Sequence, residues 1–87
     1  MRRYVVQVDR KAEKDLEGIR DRRLLTDLRS AIRGLAEDPR PHGVKKLQGF
    51  KDLWRVRVGD WRIVYRIEDD RLVVLVVAVA KRDEVYR

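Results

Sequence analysis

The stretch from Leu53 to Ile67 constrains the fold more than any other part of the chain. Apolar and polar residues alternate with a period of two on both sides of the Gly59-Asp60 pair. A pair of this kind between two alternating runs is a strong β-hairpin signal. Glycine at the first central position suits the positive φ of a type II′ turn. The sequence therefore predicts a β-hairpin that is closed by a two-residue turn.

The register of this hairpin divides its side chains between two faces. With a two-residue turn, residues at equal distances from the turn lie opposite each other and share a face. One face then carries Trp54, Val56, Val58, Trp61, Ile63 and Tyr65. If exposed, the aromatic rings would be stacking platforms for bases. Because they are in phase with the aliphatic residues, we expect them to belong to the core instead.

The other face of the hairpin is basic. Arg57 lies opposite Arg62, and Arg55 and Arg66 share this face with no interleaved acid. Directly opposed like charges destabilise a ladder by a few tenths to roughly 1 kcal/mol. This pattern favours an anion-binding surface over a solvated basic face. Arginine also suits planar, bidentate recognition of phosphate.

Composition limits the kind of site that this chain can build. A chain of 87 residues predicts a single domain, 1–87, with a small core, so a site is expected on the surface or in a shallow groove. The net charge of +7 and the pI near 10.2 indicate a polyanion, above all nucleic acid, as the partner. An anionic membrane is less suitable, because no helix pattern is basic on one side and richly apolar on the other.

Cysteine and histidine usage narrows the chemistry further. Cysteine is absent, which excludes disulfides, zinc–thiolate sites and thiol nucleophiles. The single histidine, His42, lies in a loop rich in proline and glycine, so we expect a solvated residue and no metal site. The first residues do not resemble a signal peptide, and the protein is expected to be cytoplasmic.

The rest of the chain predicts an α+β fold. Tyr4–Val8 alternates as a strand, and Asp9 and Asp21 are suitable N-caps for two helices with apolar faces, the second of which must end before Pro39. The stretch 38–52 is expected to be a loop, anchored by Val44, Leu47 and Phe50. Its lysines, Lys45, Lys46 and Lys51, are either solvated or an extension of a polyanion track.

The last strand, 71–80, is apolar at nearly every position, which indicates that both of its faces are covered. The helices would cover one face, and the chain's own tail or a partner would cover the other. The predicted order is β-α-α-β-β-β, with a helical hairpin packed on one face of a mostly antiparallel sheet.

Three features together resemble the RelE/ParE superfamily of toxin–antitoxin toxins. They are the arginine-rich hairpin preceded by Lys46-Leu47-Gln48-Gly49, the Gly59-Asp60-Trp61-Arg62 turn, and a closing Lys81-Arg82 with Glu84-Val85-Tyr86. In this superfamily, RelE-type members cut messenger RNA in the ribosomal A site, whereas ParE-type members poison DNA gyrase. ParE-type chains generally lack the full set of basic residues, so the resemblance favours the RNase branch.

The resemblance implies a catalytic set over the sheet: Arg55, Arg57, Arg62, Arg82 and Tyr86. Further RNA contacts are expected from Lys81, Lys51, Arg66 and Arg87. The family's second-strand positions often hold lysine, but here they hold arginine. Since arginine does not lose its proton in proteins, Arg55 and Arg57 cannot be a simple general base. Tyr86 and Lys81 remain open alternatives for that role, and Tyr86 could instead stack on a base.

The implied activity is a ribosome-dependent mRNA endoribonuclease in which the RNA 2′-hydroxyl attacks the adjacent phosphate, so no metal or cofactor is expected. The implied partners are the ribosome with its mRNA and a cognate antitoxin, in a hetero-oligomer. The alternatives are a ParE-like gyrase inhibitor without nuclease activity and a catalytically inactive basic RNA-binding domain.

Overall fold

A helical hairpin lies on one face of a five-stranded sheet in the computed structural model, which describes residues 3–81. The elements in chain order are β1 (Val5–Val8), α1 (Arg10–Glu17), α2 (Arg22–Gly34), β2 (Lys45–Lys46), β3 (Leu53–Val58), β4 (Trp61–Glu68) and β5 (Val73–Lys81). The strand order is β1-β5-β4-β3-β2, in which β1 runs parallel to β5 and the other neighbours are antiparallel. The predicted α+β class is confirmed. No helix in the range 3–81 is long and apolar enough to cross a membrane.

Both helices begin at the predicted N-caps. The side chain of Asp9 accepts a hydrogen bond from the backbone N–H of Lys11 at 3.0 Å. Asp21 accepts from the backbone N–H groups of Arg23 and Leu24 at 3.0 and 3.2 Å. An N-cap of this kind stabilises a helix by roughly 1 kcal/mol, because it pairs N–H groups that have no partner within the helix.

The core lies between the helices and the sheet. Its fully buried residues include Ala12 and Leu16 of α1 and Leu28 of α2, packed against Ile63, Tyr65, Val74 and Val76 of the sheet. Trp54 and Trp61 pack against this cluster and are partly buried. The phase of the hairpin therefore predicted the core face correctly.

The hairpin has the predicted register. Val58 pairs with Trp61, Val56 with Ile63, Trp54 with Tyr65 and Arg57 with Arg62. Gly59 has a φ of 59°, whereas Asp60 is not among the residues with positive φ. That combination fits a type II′ turn and not a type I′ turn, which needs positive φ at both central residues.

The stretch predicted as a loop, 38–52, differs from the prediction in two ways. Lys45 and Lys46 form the short edge strand β2, paired with Arg55 and Trp54 of β3. Phe50 is 52% exposed, so its predicted role as an anchor is wrong, whereas Leu47 is buried. Phe50 lies in the six-residue connection between β2 and β3, where its side chain is largely in solvent.

A network of side chains fixes the connection between α2 and β2 to the sheet. The buried Tyr65 hydroxyl donates to the backbone oxygen of Pro39 at 2.8 Å. Arg40 forms two hydrogen bonds with Asp69, at 3.2 and 2.9 Å, and its guanidinium lies 4.9 Å from the ring centroid of Trp54. Asp69 also accepts from the Tyr4 hydroxyl at 2.6 Å. The loop is thus attached to β3 through Trp54, to β4 through Tyr65, and to Asp69 just after β4.

A β-bulge interrupts the pairing of β4 with β5. Tyr65 pairs with Val76, but the preceding residue, Val64, pairs with Ala78, so Val77 is the extra residue. Since side chains alternate along a strand, the extra residue exchanges the faces of all β5 residues beyond it. Val79 consequently lies in the core, 2% exposed, and Ala78 and Ala80 lie on the opposite face.

Candidate nucleic-acid interface

The sheet face turned away from the helices carries the predicted arginines. Arg57 and Arg62 are direct ladder partners next to the Gly59-Asp60 turn. Arg55 and Arg66 lie on the same face, because each is an even number of residues from one member of this pair. We call the surface formed by Lys45, Arg55, Arg57, Arg62 and Arg66 the arginine face. The structure therefore brings together the four arginines that the hairpin pattern predicted.

Small residues lie beside the arginine pair. On β5, Ala80 is the ladder partner of Arg62, and Ala78 is the partner of Val64. Val64 itself is only 4% exposed although it lies on the arginine face, with Arg62 and Arg66 two residues away along its strand and Arg55 opposite. The aliphatic stems of arginine can cover apolar surface while their charged ends stay in water. Arginine stems can therefore account for the burial of Val64 on a face that is otherwise charged.

The charge around the pair has one sign in the described part of the sheet. The ladder and same-strand neighbours of Arg55, Arg57 and Arg62 on this face within residues 53–81 include no Asp or Glu. Arg57 is exposed, and its Nε donates to the backbone oxygen of Gly59 at 3.2 Å. This bond leaves the terminal nitrogens of Arg57 able to donate to an anion. Arg62 is half-buried next to Ala80.

Lys81 does not lie in the arginine cluster. It is the ladder partner of Trp61, whose side chain packs on the core, so Lys81 starts from the helix side of the sheet. There it lines an open depression together with Arg20, Asp21, Asp60 and Trp61. The terminal basic residue of β5 and the arginine pair are therefore on opposite faces.

The remaining predicted residues are more distant or fall outside residues 3–81. Lys51 is exposed in the turn before β3, at the end of that strand away from the arginine pair. Arg66 is exposed and faces Leu53 and Leu75, so it has no charged ladder partner. Arg82, Tyr86 and Arg87 lie outside the described residues. Within 3–81, no group of three His, Asp or Glu residues is arranged to hold a metal ion.

Sequence reasoning missed the place of Lys45. In the structure it is the direct partner of Arg55 across β2 and β3 and so extends the arginine face to the edge of the sheet. A two-residue strand has too few positions to show alternation, so no periodic signal marked it. His42 is exposed in its loop, as predicted.

Comparison with known proteins gives consistent matches over almost the whole chain. The family model for the ParE toxin of the type II toxin–antitoxin system parDE matches residues 6–86. Toxin RelG from Mycobacterium tuberculosis is 27% identical over 84 residues, which are 97% of each chain. The putative toxin RelE1 from Methanocaldococcus jannaschii is 24% identical and covers 98% of this chain and 97% of its own.

Solved structures show the same fold. A chain in the toxin–antitoxin complex RelBE2 from Mycobacterium tuberculosis has a TM-score of 0.82 at 27% identity, with 94% of each chain covered. The isolated Escherichia coli RelE toxin has a TM-score of 0.76 at 29% identity, with 95% of this chain and 90% of that one covered. The sheet that carries the arginine face is therefore a fold shared with RelE toxins.

Proposed function

The chain belongs to the ParE toxin family of type II toxin–antitoxin systems, and we propose that it is a ribosome-dependent endoribonuclease that cleaves messenger RNA. The observation that carries the proposal is the opposed pair Arg57 and Arg62. As direct ladder partners, the two arginines project from the same point of the sheet beside the small residue Ala80, and such like-charged pairs are expected to cost stability. RelE-like relatives and solved RelE structures support the same branch of the family.

RNA supplies its own nucleophile for this reaction. The 2′-oxygen attacks the adjacent phosphorus while the bond from phosphorus to the 5′-oxygen breaks. The products are a 2′,3′-cyclic phosphate and a free 5′-hydroxyl, and one proton leaves the 2′-oxygen while another reaches the 5′-oxygen. The protein must align the three reacting atoms, neutralise the phosphoryl oxygens and manage these two protons.

Arg57 and Arg62 are assigned to the non-bridging phosphoryl oxygens. As direct ladder partners their side chains project from the same point of the sheet. Guanidinium donors that are already in place contribute most where negative charge develops, and each is expected to contribute on the order of 3 kcal/mol at the transition state. Arg55, two residues from Arg57 on the same face, is placed to hold a neighbouring phosphate or to assist.

The proton transfers are assigned to residues beyond the arginine pair. A guanidinium group keeps its proton, so neither member of the pair is a base. The resemblance to RelE-type toxins assigns Arg82 to the leaving 5′-oxygen and Tyr86 to stacking or to the 2′-proton. Because the arginine face has no carboxylate or imidazole base, we expect the free protein to cleave naked RNA poorly. In this proposal the ribosome completes the site by holding the mRNA in the conformation that cleavage requires.

A cognate antitoxin is the proposed protein partner. Several of the solved relatives are toxin–antitoxin complexes, among them the RelBE2 complex of Mycobacterium tuberculosis and a RelE–RelB complex of Pyrococcus horikoshii. The proposed assembly is a hetero-oligomer in which the antitoxin covers apolar or basic surface of the toxin. Co-expression with the antitoxin should abolish the growth arrest that the toxin causes alone.

The second candidate is inhibition of DNA gyrase without nuclease activity. The observation that favours it is the family model itself, which is that of ParE and matches residues 6–86. This activity would not need converging phosphate donors, so it leaves the opposed arginines unexplained. A catalytically inactive basic RNA-binding domain is the third possibility.

Brief induction in growing cells separates these functions. The 5′ ends of a translated message and of an untranslated copy would be mapped after induction of the wild type, an Arg62→Ala variant and an Arg71→Ala variant. We expect cuts in phase with codons on the translated copy alone, lost in Arg62→Ala and retained in Arg71→Ala, which removes an exposed arginine from a turn. Intact messages with damaged DNA would instead establish the gyrase inhibitor. If neither the messages nor the DNA are damaged, the inactive RNA-binding domain is the function that remains.

A further inference from the structure

The arginine face extends beyond the arginine pair to the edge of the sheet. Lys45 of β2 lies directly opposite Arg55 of β3, so their side chains share this face. The arrangement repeats that of Arg57 and Arg62 one strand further in, where two cations are again direct ladder partners. Each such pair weakens its ladder by a few tenths to roughly 1 kcal/mol. Two like-charged pairs on one face of a small sheet point to a ligand with more than one negative charge.

The Lys45–Arg55 pair borders a pocket of its own. Lys45, Leu47, Gln48 and Arg55 line an open pocket of about 330 Å³, together with Lys46. None of its lining residues is acidic, and within residues 3–81 neither Lys45 nor Arg55 forms an ion pair with a carboxylate. The amide of Gln48 adds a donor and an acceptor at the same place. The pocket therefore has the chemistry of a phosphate site.

The spacing of the two pairs suits one nucleic-acid strand. Their centres are separated by one inter-strand distance across the sheet and two residues along it, which amounts to about 8 Å. This is the scale on which charges repeat along an extended sugar–phosphate backbone. Resting on the endoribonuclease function proposed above, we propose that Lys45 and Arg55 bind a second phosphate of the same RNA strand whose scissile phosphate lies over Arg57 and Arg62. The message is then held at two points, which fixes its direction across the sheet.

The adjacent residue, Lys46, provides a matched control. It has the same charge and lies in the same short strand. Although Lys46 also borders the pocket, it pairs with Trp54, so its side chain points to the other face of the sheet. Its ammonium lies 5.9 Å from the centroid of the Trp54 ring. Lys45→Gln and Lys46→Gln therefore remove the same charge at nearly the same place, on opposite faces of the sheet.

The test measures binding of a short 2′-O-methyl oligoribonucleotide, whose blocked 2′-oxygens prevent cleavage, by fluorescence anisotropy over a range of salt concentrations. We expect Lys45→Gln to weaken binding about fivefold at low salt and to reduce the salt slope by about 0.7, the value for one phosphate contact on a single strand. Lys46→Gln should change both quantities by less than half as much. Equal losses of affinity in the two variants would overturn the proposal, because they would show that any positive charge at this edge of the sheet strengthens RNA binding to the same extent.

Single methylphosphonate substitutions then locate the contact. At one position, the neutral linkage should make wild type and Lys45→Gln bind equally, and a different position should do so for Arg57→Gln. If no position cancels the effect of Lys45→Gln, or if both variants share one position, there is no separate second phosphate site.

Cleavage of messages on programmed ribosomes separates this inference from the proposed function. If the wild type cleaves and Lys45→Gln cleaves at the same rate and the same positions, the second phosphate site is wrong and the proposed endoribonuclease function still holds. An inactive wild type would refute the endoribonuclease, and the claim that the site serves mRNA cleavage would fall with it.

Discussion

The backbone N–H of Val79 donates a hydrogen bond to Oδ2 of Asp15 at 3.0 Å. Strand β1 pairs with β5 only between residues 73 and 76, so the part of β5 beyond the bulge extends past its neighbour. A buried backbone N–H without a partner is costly, and the carboxylate of α1 supplies that partner. Val79 precedes Ala80, the ladder partner of Arg62. The first helix, α1, thus fixes the segment of β5 that pairs with Arg62 of the arginine face.

Replacing Asp15 should therefore destabilise the fold. We expect Asp15→Ala to lower the free energy of unfolding by roughly 1–3 kcal/mol, because the Val79 N–H loses its acceptor. Asp15→Asn keeps an acceptor oxygen and should lose less. Asp27→Ala removes an exposed carboxylate from α2 and serves as the control. Urea denaturation of the three variants measures the difference, and equal stability of Asp15→Ala and wild type would show that the bond contributes nothing.

The opposed arginines should show a conflict between activity and stability. Arg57→Thr replaces one member of the pair by a good strand former, which relieves repulsion across the ladder. We expect mRNA cleavage to fall by about 10² to 10³, while the free energy of unfolding stays the same or rises by up to roughly 1 kcal/mol. Arg66→Thr, which has apolar ladder partners, should reduce cleavage by less than about tenfold. Undiminished cleavage by Arg57→Thr would remove Arg57 from the site.

The turn next to the pair depends on glycine. Gly59 has a φ of 59°, and a Cβ at this position would meet no atom within 4 Å, so the cost of Gly59→Ala comes from the backbone alone. We expect a loss of about 1–2 kcal/mol in the free energy of unfolding. Gly34→Ala is the control, because Gly34 ends α2 without a positive φ and has equal space. That variant should be neutral or slightly more stable. Thermal unfolding compares the two, and an equal melting temperature would exclude strain at the turn.

Alkaline pH should weaken the fold through Tyr65. Burial raises the pKa of the Tyr65 hydroxyl above its usual value of 10.0, and the hydroxyl must keep its proton to donate to Pro39. Below pH 10 this contribution to stability is fully present. Above pH 10 the unfolded chain releases the proton while the folded chain retains it, so stability falls by up to about 1.4 kcal/mol per pH unit.

The variant Tyr65→Phe isolates this effect. It should cost about 1 kcal/mol near neutral pH, because the Pro39 carbonyl loses its donor. Its stability should then fall less steeply than that of the wild type above pH 10. Tyr4, whose pKa is raised mainly by its hydrogen bond to Asp69, is present in both proteins and cancels in the comparison. Parallel curves for the two proteins would contradict the assignment to Tyr65.

Local patterns predicted the hairpin and the helix starts well. The alternation around Gly59-Asp60 gave the register of β3 and β4 and placed Arg57 opposite Arg62, since a two-residue turn leaves one pairing. Asp9 and Asp21 were predictable as N-caps because capping depends on the nearest residues. The role of Phe50 was predicted wrongly, because hydrophobicity alone does not show that a side chain lies largely in solvent.

The sequence by itself determined which hairpin residues face the core and which form the basic face, since both follow from a period of two and one turn. Only the tertiary structure decided which residues of β5 lie beside those arginines. In a strand that is apolar at every position, both phases look alike, and the bulge at Val77 selects Ala78 and Ala80 for the arginine face and Val79 for the core. The pairing of Lys45 with Arg55 was likewise decided by contacts between distant strands, which a two-residue segment does not encode in its own pattern.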